Sequence, residues 1–228
     1  MKYNLLALDA STEALSLALS YNGNLYRHFE ECPQQHSQKI LPLVEQLFTE
    51  AGCQLKDLDG LVFGRGPGSF TGVRIGVAVA QGLAYSGNLQ LAGVSTLQAM
   101  AQQAFAQTQA KQVLVAIDAR MGEVYLCHYT RSDNNQAIAL GEERVIKPEL
   151  IDGEFEGVLA VGTGWQTYSD VAKKLGLEVH NDITLPHAEY MLDTGIAQFE
   201  AGKVVNAADA QPQYVRDTVT WKKLPGRE

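Results

Sequence analysis

The sequence is poor in cysteine and in basic residues. Its three cysteines, Cys32, Cys53 and Cys127, are scattered without a CxxC pair, which favours reduced thiols over a disulfide framework. The 18 lysines and arginines are outnumbered by 26 aspartates and glutamates, so the net charge is -8. A chain with this charge repels a phosphate backbone, and we expect it to meet tRNA only indirectly, through a partner.

Long hydrophobic runs are also missing. No apolar stretch approaches the length of a transmembrane helix, and Asp9 comes too early for the hydrophobic region of a signal peptide. We therefore expect a cytoplasmic protein without membrane contact. With 46% hydrophobic and 19% charged residues, the 228-residue chain can bury the core of one two-lobed domain or of two small domains.

Familiar catalytic motifs are absent as well. The glycine-rich stretch GRGPGSFTGVRIG at 64–76 has no Lys-Ser/Thr pair after its glycines, and Ser69 and Thr71 stand where GxGxxG needs its third glycine. Ser69 is favoured as the N-cap of a helix that starts at Phe70, and the alternative is an anion held at that helix terminus. No HExxH pair or GxSxG elbow is present, although a Ser-His-Asp triad with distant partners stays open. We predict no catalytic residue, no metal and no cofactor.

What the sequence does contain is a repeated order of strands and helices. A meander of LLALD, ALSLALS and NLYRHFE precedes a helix at 36–52, strand GLVFG, a helix at 69–86, strand LQLAGV and a helix at 95–106. A second meander starts at QVLVAIDA and is followed by strand VLAVG, a helix at 165–175, strand LEVHND and a helix at 187–201. The order predicts an α/β protein.

Two sequence anchors indicate that the second half is a copy of the first. Leu-Asp-Ala around Asp9, before Glu13, is similar to Ile-Asp-Ala around Asp118, before Glu123, and LVFGRG at 61–66 is similar to LAVGTG at 159–164. Anchors in the same order are typical of a duplicated unit. We predict an N-terminal lobe at 1–108, which holds the partner-binding helices, and a C-terminal lobe at 109–228.

The glycine-rich helix has more apolar surface than one sheet face requires. At 100° per residue, Arg74, Gln81 and Tyr85 form a narrow polar sector, and the opposite side, with Gly72 and Gly76, is predicted to face the sheet. A flank of Phe70, Val73, Val77 and Ala84 is left over, and the helix at 36–52 has a line of Ile40, Val44, Leu47 and Ala51. The residues alone leave two alternatives open, a joint surface for a partner, with Val77 exposed at its centre, or packing of these helices against each other.

A duplicated unit with an aspartate closing the first strand of each copy resembles the ribonuclease-H-like fold of the actin-like ATPase and sugar kinase superfamily. In that superfamily two such hairpins face each other and hold nucleotide phosphates. Here Arg120 and Met121 replace small residues of the second turn, so that cradle is predicted to be blocked. For Asp9 and Asp118 two roles stay open, coordination of a phosphate-bound metal ion or hydrogen bonds to the amides of their own turns.

Four motifs together resemble the bacterial TsaB (YeaZ) family: LALDASTEALSLAL, GRGPGSFTGVRIG, AIDARMGEVY and the terminal PQYVRDTVTWKKLPGRE. The resemblance implies a cytoplasmic, non-catalytic subunit that binds and activates TsaD, which transfers threonylcarbamoyl to N6 of the adenosine beside the anticodon in tRNAs reading codons that begin with A. It also implies a TsaE-like ATPase in the larger complex and a homodimer when the chain is alone. The alternative is a stand-alone small ATPase or a glycoprotease-like peptidase.

The resemblance implies two groups of site residues. The partner interface is expected at Ile40, Val44, Leu47, Phe70, Val73, Arg74, Val77 and Gln81, and a degenerate nucleotide cleft at Asp9, Ser11, Asp118, Arg120 and Glu123. The histidine pair that TsaD-like proteins carry after the glycine-rich helix is matched here by Thr96 and Met100, which are poor substitutes. The terminal run with Arg216, Lys222, Lys223 and Arg227 around Trp221 is expected to be a solvated tail rather than a tRNA contact.

Overall fold

The first half of the chain forms a five-stranded sheet and three helices in the computed structural model, which describes residues 2–216. The elements are β1 (Leu5–Asp9), β2 (Ala14–Tyr21), β3 (Asn24–Glu31), α1 (His36–Ala51), β4 (Gly60–Gly64), α2 (Phe70–Gly87), β5 (Gln90–Val94) and α3 (Thr96–Gln107). The strand order is β3-β2-β1-β4-β5, with β2 antiparallel to its neighbours and β4 parallel to both β1 and β5.

The second half forms a six-stranded sheet with shorter helices. The elements are β6 (Gln112–Asp118), β7 (Val124–Arg131), β8 (Ala137–Ala139), β9 (Arg144–Ile146), β10 (Leu159–Val161), α4 (Thr163–Thr167), α5 (Ser169–Lys174), β11 (Glu178–Val179) and α6 (Leu192–Glu200). The strand order is β11-β10-β6-β7-β8, and β9 pairs with β7. Again the first two strands are antiparallel, while β10 runs parallel to β6 and β11.

The two sheets share one topology. β1 and β6 are central, each ends in an aspartate, and each lies between its antiparallel hairpin partner and the parallel strand that carries the second anchor. This arrangement confirms the predicted duplicated ribonuclease-H-like fold. β1 and most of β2 are buried on both faces, whereas β3 alternates between exposed and half-buried positions because it is the edge strand.

Side-chain packing crosses the predicted boundary between residues 108 and 109 in both directions. From the first half, α3 places Leu97, Met100 and Phe105 in the core of the second sheet. From the second half, Met191 and Leu192 pack against the first sheet, where Gly195 is so close to Val62 that a Cβ would lie nearer than 3.0 Å to its side chain. The two lobes therefore share their cores through exchanged elements.

Two helices predicted near the C-terminus are divided in the structure. The predicted helix at 165–175 is interrupted at Tyr168, whose φ of -115° and ψ of 48° separate α4 from α5. The predicted helix at 187–201 consists of a 3-10 turn at Ala188–Met191 followed by α6. Among residues 2–216, no helix combines the length and apolarity that are needed to cross a membrane.

Candidate functional site

The carboxyl group of Asp9 forms hydrogen bonds within the hairpin turn that follows β1. Oδ1 accepts hydrogen bonds from the backbone nitrogen of Ser11 at 2.9 Å and from Ser11 Oγ at 2.7 Å, and Ser11 Oγ lies 2.9 Å from Thr96 Oγ1. Oδ2 is buried without a hydrogen-bond partner among the described residues. Burial raises the pKa of Asp9 above its ordinary 3.8, and the bonds from Ser11 oppose that shift. Asp9 Oδ1 therefore makes the bonds to its own turn that the second of the two predicted roles describes.

The glycines of the 64–76 loop make room for this turn. A Cβ on Gly64, Gly68 or Gly72 would lie within 3.0 Å of Asp9 Oδ2, Ser11 O or Ala10 O respectively. The backbone nitrogen of Ser69 donates to Ser11 O at 2.6 Å, and Ser69 Oγ accepts from the backbone nitrogen of Gly72 at 3.3 Å, which confirms the predicted N-cap. The backbone amides of Ser69 and Gly72 are therefore already used within the protein, by Ser11 O and by Ser69 Oγ.

The second hairpin repeats this arrangement with an arginine added. Asp118 Oδ1 accepts from the backbone nitrogen of Arg120 at 2.9 Å, and Oδ2 accepts from Arg120 Nη1 at 3.1 Å. Arg120 and Met121 have φ angles of 62° and 58°, in the left-handed region that non-glycine residues adopt rarely. Each aspartate thus bonds the amide two residues further on, and at the second copy an arginine also neutralises the carboxylate.

Glu123 on the same hairpin is paired with Arg216. Arg216 Nη2 lies 2.6 Å from Glu123 Oε2 and 3.1 Å from Ala119 O, and its guanidinium carbon is 5.9 Å from the ring centroid of Tyr125. The Arg216 side chain is only 17% exposed. The expectation that Arg216 belongs to a solvated tail is therefore wrong, because this side chain bonds to the hairpin between β6 and β7.

The other predicted residues of the terminal run, Lys222, Lys223, Arg227 and Trp221, lie outside the described residues. Of the two positions that match the histidine pair of TsaD-like proteins, Thr96 bonds Ser11 and Met100 is fully buried under the second sheet. Within residues 2–216, no group of three His, Cys, Asp or Glu side chains is placed to hold a metal ion.

Most of the predicted partner interface is core. The five residues buried in one cluster between α1, α2 and the first sheet are Ile40, Val44, Leu47, Val73 and Val77. Val77, predicted to be exposed at the centre of the interface, is only 4% exposed. That expectation is wrong because α1 packs against α2, which is the second of the two alternatives left open by the sequence.

Another side of α2 does face outward. We call it the α2 face, and its residues are Phe70, Arg74, Ala78, Gln81, Gly82 and Tyr85. It includes three residues of the predicted interface. Phe70 is 52% and Tyr85 85% exposed, and Leu41 of the neighbouring α1 is 53% exposed. The face therefore combines large exposed apolar groups with two small residues, a composition that suits close contact with another helix.

A segment that the sequence reasoning missed runs beside the α2 face. We call residues 207–216 the C-terminal strap. Gln81 Nε2 donates to Ala210 O at 2.9 Å, the backbone nitrogen of Gln213 donates to Arg65 O at 2.8 Å, and Arg74 Nε donates to Tyr214 Oη at 2.7 Å. A groove of about 240 Å³ lies between strap and helix. The strap shows no hydrophobic period that the sequence could reveal. The only sequence feature that points to it is the polar sector of α2, whose side chains bond to the strap.

The fold and the site define a class. The protein is a duplicated ribonuclease-H-like protein in which both aspartate-bearing hairpins are closed by the chain's own carbonyl and guanidinium groups.

Comparison with known proteins agrees with this class. The family model TsaD, described as tRNA N6-adenosine threonylcarbamoyltransferase, matches residues 30–185. The tRNA threonylcarbamoyladenosine biosynthesis protein TsaB of Escherichia coli (strain K12) is 47% identical over 98% of this chain and 99% of its own length. The protein of the same name from Haemophilus influenzae is 43% identical over 98% of both. The solved structure of YeaZ from Pseudomonas aeruginosa, 38% identical, covers 93% of this chain and 99% of its own with a TM-score of 0.84. The chain belongs to the TsaB (YeaZ) family.

Proposed function

We propose that this chain is a non-catalytic subunit in tRNA threonylcarbamoyladenosine biosynthesis that binds and activates a TsaD-like transferase. The transferase attaches threonylcarbamoyl to N6 of the adenosine beside the anticodon, in tRNAs that read codons beginning with A. The names of the relatives support the process, and the match to the transferase family supports descent from a common unit. The closure of both hairpins is the observation that supports a non-catalytic role.

The closure matters because a nucleotide-binding hairpin needs free amides and an available carboxylate for a phosphate-bound metal ion. In the first copy, Ala10 O and Ser11 O press against the start of α2, and Asp9 is buried. In the second copy, Asp118 and Glu123 are engaged by Arg120 and Arg216. Opening either hairpin to a nucleotide would require these contacts to break, so the chemistry is assigned to the partner.

The α2 face is the surface we assign to the transferase. Its exposed Phe70 and Tyr85, together with the exposed Leu41 on the neighbouring α1, offer apolar area that the described chain leaves uncovered. Without the transferase, the same face in two copies of this chain would pair, which gives a homodimer. A TsaE-like ATPase and the tRNA would then join through the assembled complex, in the cytoplasm.

Reconstitution tests this proposal. A TsaD-like transferase from the same genome is assayed for threonylcarbamoyl transfer to tRNA with and without this chain, and binding of the two proteins is measured by calorimetry. We expect a complex and transfer that depends on the chain. Full transfer without this chain, or the absence of a complex, would refute the proposal.

The alternative of a stand-alone ATPase or peptidase is tested with the pure chain. We expect no ATP hydrolysis and no peptide cleavage, because the closed hairpins offer no obvious position for a substrate phosphate. Turnover that disappears in the Asp9→Ala variant would establish the alternative.

A further inference from the structure

Arg74 is held by two aromatic residues. Its guanidinium carbon lies 3.5 Å from the ring centroid of Phe70 and 5.5 Å from that of Tyr214, and the two rings are 5.9 Å apart. Nε donates to Tyr214 Oη at 2.7 Å. Stacking on Phe70 and the bond to Tyr214 restrict the rotation of a side chain that is otherwise exposed on the α2 face.

The contacts leave one edge of the guanidinium unused. Within residues 2–216, the terminal amino groups of Arg74 make no hydrogen bond or ion pair that meets ordinary distance criteria. Because Arg74 Nε already donates to Tyr214, the edge of the guanidinium that is free to bind a ligand is the one formed by its two terminal nitrogens, Nη1 and Nη2. That edge matches the spacing of two oxygens in a carboxylate or phosphate group.

We propose that Arg74, held by Phe70 and Tyr214, receives a carboxylate side chain of the TsaD-like partner at the groove between α2 and the C-terminal strap. This inference rests on the proposed function and adds the chemistry by which the α2 face recognises its partner. It makes Tyr214 a positioning residue, which acts through Arg74.

A protein carboxylate is favoured over an RNA phosphate by the surroundings of Arg74. The α2 face contributes apolar or small groups around it, Phe70, Ala78, Gly82 and Tyr85, and no second cation of that helix face accompanies Arg74. Phosphate backbones are bound by clusters of Lys and Arg, and this chain has a net charge of -8. A single arginine among apolar groups is typical of a protein interface.

A double-mutant cycle tests the inference, with the TsaD-like transferase as the probe and the Kd as the readout. Arg74→Gln is expected to weaken binding about tenfold or more, because the partner carboxylate loses a charged hydrogen bond. Tyr214→Phe keeps the ring and removes the hydroxyl, and we expect a loss of about threefold to tenfold. In the Arg74→Gln background, Tyr214→Phe should change the Kd less than about twofold, since there is no guanidinium left to position.

Further readouts separate positioning from a structural role. All three variants should keep the melting temperature of the wild type within about 2 °C, because the altered side chains are exposed. Arg74→Lys should bind with intermediate affinity, since it keeps the charge and loses the two-nitrogen edge. The matched control is Arg144→Gln on β9, an exposed arginine far from the α2 face in the fold, and it should leave the Kd unchanged.

The outcomes divide cleanly between the two proposals. If the wild type does not bind the transferase, the proposed function fails and this inference fails with it. If the wild type binds and Arg74→Gln binds equally well, or if the two losses simply add, only the inference is overturned. It is also overturned if Arg74→Gln reduces tRNA binding by the chain alone without affecting the transferase.

Discussion

Val77 lies on the buried side of α2 and Tyr85 on its exposed side. Comparing the single variants Val77→Glu and Tyr85→Glu therefore tests the assignment of the α2 face. Val77 is 4% exposed and Tyr85 is 85% exposed. A glutamate at 77 would place a carboxylate in the cluster that joins α1 and α2, and uncompensated burial of such a group costs at least several kcal/mol. Domains of this kind have a total stability of about 5–15 kcal/mol, so Val77→Glu should lose much of it. Tyr85→Glu leaves the charge in water and should change stability by about 0.5 kcal/mol or less.

The expected shifts in melting temperature are therefore distinct. At about 2–4 °C per kcal/mol, Val77→Glu should melt at least about 6–12 °C below the wild type or fail to fold, whereas Tyr85→Glu should melt within about 2 °C of it. Tyr85→Glu should instead lose the TsaD-like partner, which calorimetry measures. A stable, folded Val77→Glu protein would show that this side of α2 is not core. Normal partner binding by Tyr85→Glu would show that the α2 face is not the interface.

Three further predictions follow from the hairpins. Gly72→Ala should lower the free energy of unfolding by several kcal/mol in chemical denaturation, because its Cβ would collide with Ala10 O. The control Gly82→Ala, with no atom within 4 Å of the new Cβ, should raise it by up to about 1 kcal/mol. Burial raises the pKa of Asp9 in the folded state, so its stabilising contribution is complete below the ordinary 3.8 and is lost as the pH rises through the raised pKa. The melting temperature of Asp9→Asn should therefore improve relative to wild type as the pH rises above the ordinary pKa of 3.8, and a difference that does not change with pH would contradict the shift. Arg120→Ala should leave the melting temperature nearly unchanged, because the side chain is 77% exposed, and should reduce modification by the reconstituted complex severalfold. Lower stability with intact modification would contradict that role.

The duplicated fold could be predicted because its signals are local. The aspartate at the end of β1 recurs at the end of β6, and the strand that pairs in parallel with each of them, β4 or β10, leads into a similar glycine-containing sequence. Hydrophobic periods located α1 to within one residue of its observed end, and Ser69 located the start of α2. Such signals depend on neighbours a few residues apart, which a sequence displays directly.

The exposed and buried sides of α2 could not be predicted in the same way. Helical periodicity shows that Val73 and Val77 share a side of α2, but it does not show that α1 covers that side. The C-terminal strap is still harder to predict from the sequence, because its hydrogen bonds to α2 join residues that are 129 and 140 positions apart. Contacts of that span leave no period in the sequence, and the exposed polar sector of α2 is ambiguous between solvent and a covering segment.

The two copies of the hairpin are closed in different ways, and the difference connects the predicted nucleotide cleft to the α2 face proposed as the interface. In the second copy, the guanidinium groups of Arg120 and Arg216 form ion pairs with the carboxylates of Asp118 and Glu123. In the first copy, the turn at 9–11 is pressed into the start of α2, at a distance that only Gly64, Gly68 and Gly72 permit. The first hairpin therefore fixes the position of α2, and with it the α2 face. The glycine-rich loop brings helix and hairpin together, and through these close contacts the hairpin sets where the α2 face lies.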